Sequence, residues 1–116
     1  MENPVYESVV ARLAGILGPG KPLESGSGTR FTSAKRGKVT VYHMNLATGN
    51  HAEVAFDAPT MAKRMSMSER EFRSLIADLR GRTGREVSPD PQFNWPRVGL
   101  VSEADVAAVV HAIEHP

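Results

Sequence analysis

Four histidines, thirteen carboxylates, a set of serines and one run of cations around a glycine are the residues of this chain that could do chemistry. His111 and His115 stand four apart, so on a helix both rings face one way. Two imidazoles fall short of a zinc site, and the glutamate that follows the first histidine in a metalloprotease helix is missing. Histidine in a last helical turn is favoured simply because it faces the negative end of the helix dipole. The expectation is therefore no metal, no cofactor and no catalytic residue. No G-x-S-x-G elbow or S-x-x-K pattern marks a nucleophile. "GILGPGK" (residues 15–21) spells a phosphate loop, but it follows a helical pattern instead of a strand, and Pro22 stands where the magnesium-binding hydroxyl belongs. It reads as a helix stop.

Two groups of residues remain as candidate sites. His43 and Glu53 are predicted to share the polar face of a sheet with Arg30, the one place where acid, base and cation meet. Together with Trp95 they form the candidate site for a small molecule. Trp95 also reads as a packing anchor that closes the last strand over the core, or as an exposed hot spot for a partner. The second group is basic. Arg30, Lys35, Arg36 and Lys38 fall between Ser25 and Ala52 with no acid among them. Arg70, Arg73 and Arg80 lie on the polar side of a predicted helix. Phosphate contacts need only cations in the right places, so these seven residues are the candidate nucleic-acid surface. Helix surfaces also carry arginine for solubility alone. Aromatics for base stacking are scarce, and no helix-turn-helix, zinc-finger or RNA-recognition pattern occurs.

The bulk numbers set the frame. The chain has 116 residues, which predicts one domain over 1–116, with a flexible connector at about 18–28 and a loop at about 84–94. Fourteen Lys and Arg against thirteen Asp and Glu give a net charge of +1, which carries no whole-chain argument for nucleic acid. The absence of cysteine excludes disulfides and thiolate chemistry. No apolar run reaches membrane-spanning length, and the start of the chain lacks the pattern of a secretion signal. A cytoplasmic location and no membrane partner are the expectations.

The elements that must position these residues follow from periodicity and capping. Asn3-Pro4 opens a helix whose stripe is Tyr6, Val9, Val10, Leu13 and Leu17, and Gly18-Pro19-Gly20 stops it. Three strands follow. A four-residue turn at 34–37 pairs Ser33 with Lys38 and Phe31 with Thr40. A three-residue turn, Thr48-Gly49-Asn50, sets Tyr42 opposite Phe56 and Met44 opposite Val54. Phe31, Thr40, Tyr42, Met44 and Leu46 then share the apolar face, and His43 and Glu53 the polar one. Ser68 and Glu71 form a capping box with Met67 and Phe72 as its staple, and Phe72, Leu75, Ile76 and Leu79 form the stripe. Met61 and Met65 read as core filling. "FNWPRVGLV" (residues 93–101) reads as a fourth strand, at an edge because of Pro96. Ser102 caps the last helix, with Val101 and Val106 as a second staple and Val106, Val109, Val110 and Ile113 inside.

The predicted fold is α+β, in the order α-β-β-β-α-β-α, with a mostly antiparallel four-stranded sheet packed against helices. The predicted function is a small non-enzymatic binding or accessory domain acting through a protein partner or self-association. The alternatives are nucleic-acid binding through the basic hairpin tip and the arginine-rich helix, and small-molecule binding on the polar sheet face.

Overall fold

Asn3 begins the first helix, as its side chain predicts: its Oδ1 accepts the Tyr6 N–H at 3.2 Å. The computed structural model describes residues 3–43, 47–83 and 95–115. Helix α1 (Pro4–Leu17) buries Val5, Val9, Leu13 and Leu17, and ends at Gly18, whose φ is +92°. Val5 takes the inner position expected of Tyr6; Tyr6 and Val10 are half-buried flanks. Strands β1 (Lys21–Pro22), β2 (Gly28–Ser33), β3 (Gly37–Tyr42) and β4 (Ala52–Phe56) follow, then α2 (Ala58–Arg64), α3 (Glu69–Arg80), β5 (Arg97–Leu100) and α4 (Glu103–Glu114). The five strands lie side by side in chain order, every pair antiparallel. The α+β class holds, with one strand and one helix more than the predicted order.

The additional strand is β1, inside the expected connector. Lys21 pairs with Arg30 and Pro22 with Thr29, and a turn closed by Leu23 N–H to the Gly28 carbonyl returns the chain to β2. The additional helix is α2. Asp57 Oδ1 accepts the Thr60 N–H, and Pro59 sits in the first turn, where its missing donor costs nothing. Met61 on α2 is fully buried and Met65 half-buried.

The register of the β2–β3 hairpin differs by one residue from the predicted one. Ser33 Oγ accepts the N–H groups of both Lys35 and Arg36, and Gly37 takes φ +96°. The turn is therefore three residues long. Ser33 pairs with Gly37 and Phe31 with Val39. A shift of one residue reverses every side chain of β3. Val39 and Val41 point to the helices, and Thr40 and Tyr42 point away. The β3–β4 register differs too, by three residues: Val39, not Tyr42, pairs with Phe56, and Val41, not Met44, with Val54, because β3 ends at Tyr42 and the connection to β4 is longer than a three-residue turn; Tyr42 pairs with Glu53. The expected positions of Met44 and Leu46, the strand residue Phe93 and the loop at 84–94 lie outside the described residues.

Helices α1, α2 and α3 pack on the face made by Phe31, Val39, Val41, Val54, Phe56, Val98 and Leu100, and α4 joins the same core against α1 and α3. Phe72 meets Phe56 edge-on at 6.2 Å between ring centroids. The capping box of α3 forms in both directions, Glu71 N–H to Ser68 Oγ at 3.0 Å and Ser68 N–H to Glu71 Oε1 at 3.2 Å. Ser102 caps α4, but the second staple does not bury Val101, which stays 39% exposed. Its N–H donates to Asp105 Oδ2 at 2.8 Å instead. None of the described helices is long and apolar enough to cross a membrane.

Candidate functional site

The sheet face turned away from the helices carries the polar chemistry. Strand pairing sets Arg30, Thr40, Ala55 and Arg97 in one row, and Gly28, Tyr42, Glu53 and Gly99 in the next. Arg30 Nε–H donates to Thr40 Oγ1 at 3.2 Å, so its side chain leans across β3. Glu53 is 1% exposed. Its Oε2 accepts Thr48 Oγ1–H at 3.0 Å and the Asn50 amide at 3.2 Å, and its Oε1 lies 3.5 Å from Arg97 Nη1. The Arg97 guanidinium also covers the Tyr42 ring, 4.2 Å from its centroid. Glu53 is thus a buried carboxylate engaged by a cation and at least two neutral donors. Burial of this charge is tolerable only because all of these partners are present.

Beside this wall an open-sided groove of about 1010 Å³ lies between the sheet and the β1–β2 turn. Lys21, Arg30, Thr32 and Tyr42 form its floor, and Ser25 and Ser27 its rim; Glu24 also reaches it. The groove exists because β1 folds back on β2. Gly28 allows the close approach: a Cβ there would lie 2.0 Å from the Val41 carbonyl oxygen. Lys21 and Arg30 are direct cross-strand partners, and neither has an ion-pair partner among the described residues. Lys38, opposite Thr32 on the same face, is exposed and equally without one.

Of the basic set, Arg30 and Lys38 share the open face, and Lys35 and Arg36 stand at the hairpin tip. Arg70, Arg73 and Arg80 ride on α3, on the other side of the sheet from Arg30 and Lys38, so the seven do not form one surface. Arg73 is held by Glu69 at 2.9 Å within the helix. The structure supplies different neighbours. Arg64, at the end of α2, donates to the Ala34 carbonyl and joins Lys35 and Arg36 around a hollow of about 220 Å³ with Met65, Ile113 and Glu114. Lys21 and Arg64 escaped sequence reasoning because each sits in an element too short to show a period.

His43 and Glu53 are not brought together. The reversed parity of β3 turns His43 to the helix side, where its ring meets Tyr6 at 4.2 Å between centroids. Tyr6 is fixed there by a hydroxyl–hydroxyl bond to Thr29 at 2.7 Å. Tyr42, expected in the core, takes the place beside Glu53. Trp95 is half-buried immediately before Pro96, whose carbonyl accepts the Phe56 N–H. The rings of His111 and His115 are 4.9 Å apart, and no group of three or more potential metal ligands occurs among the described residues. No family model, no curated protein and no solved structure matches the chain.

Proposed function

We propose that this protein is a small non-catalytic binding domain that holds an anionic ligand in the groove on the open face of its sheet. The observation that carries the reading is the Lys21–Arg30 pair. Two cations set directly across a ladder repel one another, an arrangement that folding alone disfavours. An anion between them relieves that cost. The hydroxyls of Ser25, Ser27 and Thr32 are within the same groove and can donate to phosphate or carboxylate oxygens. The buried Glu53 and the Arg97–Tyr42 stack form the rigid wall beside it and perform no proton transfer in this reading. A docking surface for an apolar protein face has less support: Val101 is the one large apolar side chain that is exposed among the described residues.

The test is titration of the labelled protein with pyrophosphate, followed by amide chemical shifts. Shifts are expected at residues 21–32 and at Tyr42. The double variant Lys21→Ala, Arg30→Ala should weaken binding at least about tenfold while leaving the circular dichroism spectrum intact. Shifts scattered over the surface, or unchanged affinity in the variant, would sink the proposal.

A further inference from the structure

The cations of the groove do not end at its edge. From Lys21 and Arg30 the open face continues to Lys38, and the hairpin then carries Lys35 and Arg36 at its tip, beside Arg64. Arg30 lies three residues before the end of β2 at Ser33, about 10 Å of extended strand, and the turn that carries Lys35 and Arg36 follows. None of these six cations has an ion-pair partner among the described residues. Three carboxylates adjoin the line among the described residues: Glu24 at the groove, Asp57 across from Lys38, whose carbonyl accepts the Asp57 N–H, and Glu114 at the tip.

Resting on the groove reading above, we infer that the ligand is an extended polyanion, a single strand of nucleic acid whose phosphates run from the Lys21–Arg30 groove past Lys38 to the tip at Lys35, Arg36 and Arg64. Three observations select this occupant. The cations turn from the sheet face around the end of the hairpin, where Arg64 approaches from the helix side. A duplex is too stiff over such a distance to follow that turn, whereas a single strand bends freely. An acidic peptide added as a strand would need a regular edge, but β1 is two residues long and one of them is Pro22, which has no N–H to give. The Tyr42 ring in the groove is already covered by Arg97, so base stacking contributes little. Recognition is then carried by phosphates, independent of sequence and steeply dependent on salt.

The experiment is fluorescence anisotropy of the full chain with labelled oligothymidylates of about 4, 8 and 12 nucleotides. A duplex of the same length and an acidic peptide are run beside them. Affinity is expected to rise with single-strand length until the track is filled. For the long oligomer, log Kd should vary with log salt with a slope of about 4 in magnitude for six contacts. Lys35→Ala with Arg36→Ala should lower that slope by about 1.4 and leave pyrophosphate affinity unchanged. Arg82→Ala, a charge past the far end of α3, should change neither. Length-independent affinity, an unchanged slope in the tip variant, or tighter binding of duplex or peptide would overturn the track. If pyrophosphate still bound in the groove, the proposed function would survive that failure. Loss of both pyrophosphate and oligomer binding would remove both.

Discussion

Lys21 and Arg30 face one another across the β1–β2 ladder with no carboxylate paired to either among the described residues. Like charges in that position cost roughly 0.2–1 kcal/mol relative to a neutral pair. Binding and stability should therefore pull in opposite directions here. Lys21→Glu is expected to stabilise the fold by about 0.5–1 kcal/mol in urea unfolding, because it converts repulsion into a cross-strand ion pair. The same variant should lose pyrophosphate binding. If it neither gains stability nor loses the anion, the two side chains do not act on one another.

The Glu53 network should behave as a unit. Arg97→Met removes a cation 3.5 Å from a carboxylate whose side chain is 2% exposed, and is expected to cost about 2–4 kcal/mol. Glu53→Gln keeps the shape and the bonds from Thr48 and Asn50, and leaves Arg97, 20% exposed, able to reach water. It should cost less, about 1–2 kcal/mol. The double variant should cost less than the sum of the two. Additive losses in a double-mutant cycle would show that the pair is not coupled.

Gly28 is where the groove depends on the absence of a side chain. Its partner strand is so near that a Cβ would stand 2.0 Å from the Val41 carbonyl oxygen and 3.0 Å from the Tyr42 Cα. Gly28→Ala must push β2 from β3, at an expected cost of about 2–3 kcal/mol. Because β1 is anchored to β2 by only two pairs, amide exchange in residues 21–23 should accelerate more than in β4. Equal acceleration in β4 would mean that the strain spreads through the sheet.

What the sequence made legible was local chemistry. Asn3, Ser68 with Glu71, and Ser102 each announce a helix start by a hydrogen bond from the N–H of the residue three positions on, and each bond is present. The alternation of Ala52, Val54 and Phe56 fixed the faces of β4. Elements shorter than a period left no pattern, hence β1 and the seven-residue α2, although Asp57 followed by Pro59 is a start signal in its own right. The hairpin register escaped for a subtler reason. Both parities of "KVTVYH" place β-prone residues on one face, and the choice is made by Ser33, whose hydroxyl collects two turn N–H groups and leaves Gly37 to pair. That single residue of difference turned His43 to Tyr6, and a separate three-residue shift of β4 against β3 set Tyr42 beside Glu53; together they changed the whole composition of the candidate site. The basic groups were visible as types, but which of them meet depends on long-range pairing of β1 and on packing of α2.

The reversed parity of β3 is itself open to direct test. Val41 is fully buried on the helix face between Thr29 and Val54, and its replacement by Asn puts an amide among apolar side chains. A loss of about 3 kcal/mol or more is expected. Tyr42 stands on the opposite face, partly exposed, with the Arg97 guanidinium over its ring. Tyr42→Asn should cost about 1–2 kcal/mol, the scale of a partly desolvated cation–π contact and some lost packing. Both values come from urea midpoints at constant m-value. With Tyr42 in the core and Val41 outside, the ranking would invert, because deleting a buried phenol ring costs more than a surface valine. Measuring the two variants side by side therefore decides which face of β3 meets the helices, and so whether Tyr42 belongs to the groove at all.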